Sequence, residues 1–122
     1  MKVNLLRVKK KEKGKYIWEN GDYYIGEFLN DMKNGKGKIY YKNDSIKYDG
    51  DFVNDKYEGK GKFIWENEEY YIGEWVNGFK HGEGIIYYKN NKIKYKGNFV
   101  NNEYYNQIEN FYNNNINQKK HW

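Results

Sequence analysis

The sequence predicts an all-β protein, a stacked array of tandem β-hairpins, and three observations predict it. The stretch YIGEF at Tyr24 recurs as YDGDF at Tyr48, YIGEW at Tyr71 and YKGNF at Tyr95, and a GxG stretch recurs at Gly35, Gly59 and Gly82. Self-similarity with a period of roughly 20 to 50 residues marks a repeat architecture. Residues 14–60 also match residues 61–107 at 28 of 47 positions, so a 47-residue double unit is duplicated. Finally, side chains alternate with the period of two that strands require. Tyr71, Gly73 and Trp75 fall on one face, Ile72, Glu74 and Val76 on the other.

Taken in chain order, the array is expected over residues 1–108. It begins with a degenerate hairpin over 3–18: Val3 to Val8 as a strand, KKKEKG as its loop and Lys15 to Trp18 as the partner. Lysines there discourage edge-to-edge pairing, the hazard at the end of any open sheet. Hairpins starting near 24, 48, 71 and 95 follow. Each has a first run, a polar connection such as NGFKHG, a second run, and a second connection such as KNNK. In the second run Gly61, Phe63 and Trp65 share a face and Lys60, Lys62 and Ile64 its opposite. There is no proline, and the 13 glycines act as punctuation. A mid-strand glycine repeated between aromatics is expected to let a ring from a neighbouring strand lie over bare backbone. In EYYNQIENFY, Tyr104, Ile108 and Phe111 stand at helical spacing, which predicts a short C-terminal capping helix, with an irregular strand as the alternative. Residues 109–122 form a polar tail.

With 122 residues the chain has room for one domain, and its 25 aromatics imply a core of rings rather than aliphatics. Charged residues make up 32% of the chain, a composition that predicts disorder only when rings are scarce. The absence of cysteine removes disulfides and thiolate metal sites. No apolar run suits a signal peptide or a membrane span, so an intracellular, cytoplasmic protein is expected. The net charge of +5 is uneven: residues 1–15 carry +6, residues 16–108 carry −2 and residues 109–122 carry +1.

Few residues suit catalysis. There is no Cys or Thr, and the single serine, Ser45, falls in a turn. The two histidines, His81 and His121, lie far apart and cannot supply the three or four convergent ligands of a zinc site, so no catalytic residue, metal or cofactor is expected. Asp49 and Asp51 lie opposite the strand carrying Lys60 and Lys62, and Glu27 faces Lys36 and Lys38; cross-strand ion pairs account for them. The GxG glycines do not form a phosphate loop, because no helix follows and strand N–H groups are engaged in the ladder. Nucleic acid is disfavoured by the negative body. The cluster Lys9, Lys10, Lys11, Lys13 and Lys15 is a local cationic block suited to acidic phospholipid headgroups, or else simply a solvated hairpin loop.

YxGxW followed by NGxxHGxG resembles the MORN (membrane occupation and recognition nexus) repeat, and Tyr71 to Gly84 keeps every element of that motif. The unit from Tyr48 has ND and EG where the motif has NG and HG, the unit from Tyr24 has Phe28 for Trp, and the unit from Tyr95 lacks the glycine pair. The resemblance covers roughly residues 14–107. It implies an elongated, twisted single-layer antiparallel sheet and a non-enzymatic scaffold or adaptor, frequently dimeric, in membrane-linked or cytoskeletal assemblies. A single layer cannot cover both its faces. A partner protein or peptide, or a second copy in a homodimer, is expected to bind through Tyr24, Phe28, Tyr48, Phe52, Tyr71, Trp75, Tyr95 and Phe99 or residues flanking them. The alternative for the same eight is packing between repeats. The second functional expectation is peripheral binding of acidic membranes through the five N-terminal lysines.

Overall fold

The computed structural model describes residues 10–105. They form one open antiparallel sheet of nine strands in sequential order: β1 (Glu12–Ile17), β2 (Tyr23–Leu29), β3 (Met32–Tyr40), β4 (Ile46–Val53), β5 (Lys56–Ile64), β6 (Tyr70–Val76), β7 (Phe79–Tyr87), β8 (Ile93–Val100) and β9 (Glu103–Tyr105). No described residue is helical. Tyr104, first residue of the expected helical stripe, lies in β9 and packs on Tyr95 with ring centroids 4.2 Å apart. Ile108, Phe111 and the tail lie outside the described residues, as do the expected strand Val3 to Val8 and Lys9.

Two kinds of turn define the two long edges. Along one run four two-residue turns, Asn30–Asp31, Asn54–Asp55, Asn77–Gly78 and Asn101–Asn102, with every residue at positive φ. Asn, Asp and Gly tolerate that conformation, and paired positive φ matches the twist of a hairpin. NGFKHG is therefore mostly strand: only Asn77 and Gly78 turn, while His81 sits exposed within β7. The last hairpin closes without a glycine because Asn102 adopts φ 74° in its place. Along the opposite edge, Trp18–Asp22, Tyr41–Ser45, Trp65–Glu69 and Tyr88–Lys92 share one loop. In each, the middle asparagine (Asn20, Asn43, Asn67 or Asn90) accepts the N–H two residues on, at 3.0 Å.

Register is set by glycine. Gly14, Gly26, Gly37, Gly50, Gly61, Gly73, Gly84 and Gly97 face one another across eight consecutive strands. Gly14 takes its place in that row, so Glu12–Gly14 belongs to β1 and not to a loop. The row exists because rings lie over it. Tyr71 covers Gly73, two residues along its own strand, as well as Gly84 on β7, and its hydroxyl donates to the Glu74 carbonyl at 2.8 Å. The covering ring thus comes from the glycine's own strand as much as from its neighbour. Tyr24 and Tyr48 repeat the arrangement onto the carbonyls of Glu27 and Asp51, which a register shift beside each glycine leaves available.

Candidate interaction surface

The polar candidates carry no catalytic geometry. The Ser45 hydroxyl donates to Asn43 Oδ1 at 2.6 Å, within its own turn. It lines a polar groove of about 940 Å³ between neighbouring loops, with Asp22, Tyr41, Trp65 and Glu68. Buried Asp22 holds that edge together by accepting from the Lys42 backbone N–H at 3.0 Å and pairing with Lys47 at 3.6 Å. No group of three or more metal-ligating side chains occurs among the described residues. The cross-strand ion pairs of Asp49 and Asp51 run to Lys38 and Lys36 on β3, at 3.9 and 2.6 Å, rather than to β5. A register shift after Gly50 sets Asp51 opposite Glu58, which removes Lys60 from reach. Glu27 accepts the backbone N–H of Lys36 at 2.8 Å, so it braces the strand while the Lys36 ammonium goes to Asp51. That hydrogen-bonded carboxylate holds the Lys36 pKa above its usual range.

The first face of the sheet is filled by its own rings along its middle, while Tyr16 and Tyr104 at its two ends stay 52% exposed. Tyr24, Tyr48, Phe52, Tyr71, Trp75 and Phe99 are buried, the three tyrosines completely, while Phe28 and Tyr95 are half-buried beside them. Each tyrosine meets edge-on the aromatic four residues along its strand and another from the following repeat: Tyr24 meets Phe28 and Phe52, and Tyr71 meets Trp75 and Phe99, all at 5.1 to 5.2 Å. Such contacts contribute about 0.5–1.5 kcal/mol beyond area burial. A partner has no access to these six without opening the repeats.

The position across from each such Phe or Trp alternates between two solutions. Tyr57 stacks on Tyr48 at 4.0 Å, whereas Lys33 and Lys80 lay an ammonium over Tyr24 and Tyr71, each at 5.8 Å. Lys80 also lies over Trp65 and Trp75, and its burial lowers its pKa. Lys33 pairs with Asp55 at 3.4 Å, but Asn102 stands at the equivalent place beside Lys80.

Burial pushes the phenols of Tyr24, Tyr57 and Tyr71 up to about 12 and raises that of Tyr48 as well. In each case the folded pKa exceeds the unfolded value, so the stabilisation is fully present below about pH 10; for Tyr24, Tyr57 and Tyr71 it is lost as pH rises through about 12. The melting temperature should hold up to about pH 10 and then fall steeply. Core tyrosinate absorbance should appear only together with unfolding. Ionisation of these phenols in the folded sheet near pH 10 would contradict the assignment.

The second face is open. Ile17, Tyr23, Tyr40 and Ile46 form one row across β1 to β4, and Ile64, Tyr70, Tyr87 and Ile93 repeat it across β5 to β8. In each row the two tyrosines stack, at 4.9 and 4.7 Å. Tyr23 donates to Asp44 at 2.7 Å, and that bond raises its pKa to about 12. Ile17 is 62% exposed and Ile93 54%. A neighbouring row holds Lys15, Ile25, Lys38, Asp49, Lys62, Ile72, Ile85 and Lys96. Lys15 and Lys62 place their ammonium groups over Tyr23 and Tyr70, at 4.6 and 4.5 Å. Sequence reasoning reached this surface only as the residues flanking the eight aromatics; the doubled YY at Tyr23 and Tyr70 and its 47-residue recurrence were the available signal.

A family model of the MORN repeat matches residues 9–23, 24–46, 48–69 and 71–93, which is more than half of the chain. The chain belongs to the MORN repeat family. The three longer MORN matches each begin at or beside the tyrosine that covers the glycine row. The hairpin of β8 and β9 lies beyond the last MORN match except for the start of β8, yet keeps the same ring contact through Tyr95 and Phe99, 5.3 Å apart. No curated protein sequence matches this MORN chain.

Proposed function

We propose that the protein is a non-enzymatic scaffold, binding a partner protein or a second copy of itself through the open aromatic face of its sheet. The observation that carries this reading is the contrast between faces. One face is packed by its own rings along all but its two ends, and the other exposes Ile17, Ile25, Ile72 and Ile93 among stacked tyrosines and a row of lysines. Exposed apolar area of that extent, rimmed by polar groups, is characteristic of interaction surfaces. The MORN repeat is itself a non-enzymatic module, which supports this reading; the assembly it would serve is proposed to be intracellular, at the membrane or cytoskeleton.

The test combines light scattering with lysine crosslinking of the full chain, alone and in native extract. Association is expected, with crosslinks at Lys15, Lys38, Lys62 and Lys96. The pair Ile17→Glu and Ile93→Glu should abolish it while leaving circular dichroism unchanged. A strictly monomeric chain that crosslinks to nothing, or one whose association survives both substitutions, would sink the reading.

A second reading, binding of acidic phospholipid, is favoured by one observation. Lys13 and Lys15 are exposed and share the open face with Ile17, and Lys10 and Lys11 are exposed just before them. Each lysine near an anionic surface contributes about 1 kcal/mol, so binding would be weak and salt-sensitive. Co-sedimentation with phosphatidylserine vesicles should be lost when the five lysines become Gln. Absence of sedimentation at low salt ends this reading.

A further inference from the structure

We infer that the open face of the second half carries a docking site for an acidic, apolar peptide segment of a partner protein, centred on Ile72 and Ile85 with Lys96 at its rim. The inference rests on the reading of this sheet as a binding module and specifies its site and partner chemistry. A shallow dent of about 320 Å³ lies over the bare backbone of Gly84 and Gly97, walled by Ile72, Ile85, Lys96, Glu83 and Asn98. Ile72 is 45% exposed beside it.

The duplication supplies an internal comparison. Forty-seven residues earlier, the surface over Gly37 and Gly50 is spanned by charge, because Lys36 pairs with Asp51 and Lys38 with Asp49 across β3 and β4. In the second half those four positions read Glu83, Asn98, Ile85 and Lys96, facing one another as Glu83 to Asn98 and Ile85 to Lys96. Neither facing pair is of opposite charge, so nothing spans the glycines. Among the described residues no ion pair reaches Lys96, and Lys62 faces Asp49, whose ion pair runs to Lys38 instead.

The last four members of the row, Lys62, Ile72, Ile85 and Lys96, therefore have an apolar centre between two cations, with Asp49 as the next member beyond Lys62. Those two cations are three strand spacings apart, about 14 Å. The complement is a segment that places an aliphatic side chain over the glycines and carboxylates on both sides of it. A second copy fits poorly. A two-fold axis along the strands would set Lys62 against Lys96, and one across them would set Ile85 toward Glu83.

The experiment titrates the isotope-labelled full chain with a short acetylated peptide of alternating Glu and Leu, followed by amide NMR shifts. Shifts are expected at Ile72, Gly84, Ile85, Lys96 and Gly97, and a Lys-Leu peptide should produce none. Ile85→Lys combined with Lys96→Asp recreates the Lys38–Asp49 arrangement of the first half. It should weaken binding at least about tenfold while the remaining spectrum is retained. Failure of the Glu-Leu peptide to bind, equal binding of both peptides, or indifference to the double substitution overturns the inference. So do peptide-free, concentration-dependent shifts at the same residues, which would assign the site to a second copy. Shifts there caused by phosphatidylserine vesicles but not by the peptide overturn it as well. In any of these cases the light-scattering and crosslinking result stands separately, because the stripe of Ile17 and Ile93 is tested there by its own substitutions.

Discussion

Gly50→Val should unfold the centre of the sheet. A Cβ at Gly50 would sit 2.6 Å from the Cα of Gly61, 2.6 Å from the Tyr48 hydroxyl oxygen and 2.8 Å from the Lys60 carbonyl oxygen. Two of those neighbours are backbone of the adjoining strand and cannot swing aside, and the third belongs to a completely buried ring. Overpacking a core typically costs about 1–3 kcal/mol, and a clash with paired backbone lies at or above the top of that range. Gly73→Val meets the same obstacles, Gly84 Cα at 2.6 Å among them, and should behave alike. The informative control is Gly78→Asn. Gly78 has φ 85° but open space around it, and Asn already occupies the equivalent place at Asn102. A urea titration should show a large fall in midpoint for Gly50→Val and little change for Gly78→Asn. Comparable midpoints for the two would refute the view that the glycine row is a seat for rings.

Trp75→Ala should be the next most damaging change. Its indole is 4% exposed and touches the rings of Tyr48, Tyr57, Phe63 and Tyr71, so it joins two repeats to each other. Its Nε1–H also donates to the Gly61 carbonyl at 3.1 Å, an acceptor that truncation leaves bare. Removing a buried aromatic to Ala costs about 3–5 kcal/mol. In a repeat array the loss falls on one interface, so hydrogen exchange should accelerate first in β5 and β6. Trp75→Phe is expected to recover most of the stability, since Phe28, Phe52 and Phe99 hold the equivalent position. Tyr16→Ala, at a half-exposed site, should shift stability by no more than about 0.5 kcal/mol. Uniform acceleration of exchange in all nine strands by Trp75→Ala would show that the array unfolds as one unit.

Much of the fold is legible without coordinates because the duplication states each rule twice. The period of two, the recurring YxG and the Asn-rich connections place all the hairpins from Tyr24 onward. The misplacements share one cause. NGFKHG looks like a six-residue connection because it is polar, but two residues at positive φ suffice to turn the chain, and the rest pairs. Asp51 was expected opposite Lys60, yet a bulge beside Gly50 moves it two places, opposite Glu58, and its ion pair goes to Lys36 on the other side. Polarity and alternation do not reveal a bulge, because they carry no count of the residues opposite.

The candidate surface divides the same way. The eight aromatic residues identified from the repeat all lie on the first face, and six of them are buried. Their inaccessibility follows from rings lying flat over glycine and closing on each other, a packing fact that spacing cannot show. The second face, with its exposed isoleucines and stacked tyrosines, emerges only once register lines up residues far apart in the chain, such as Tyr23 with Tyr40.

By itself, then, the sequence determined the hairpin unit, which depends on local periodicity and turn chemistry, and carried the MORN motif, whose resemblance implied the one-layer sheet. Only the tertiary structure decided which face is shut and which is open. That outcome depends on register and on how rings fill the space above bare backbone, and both are properties of strands brought side by side.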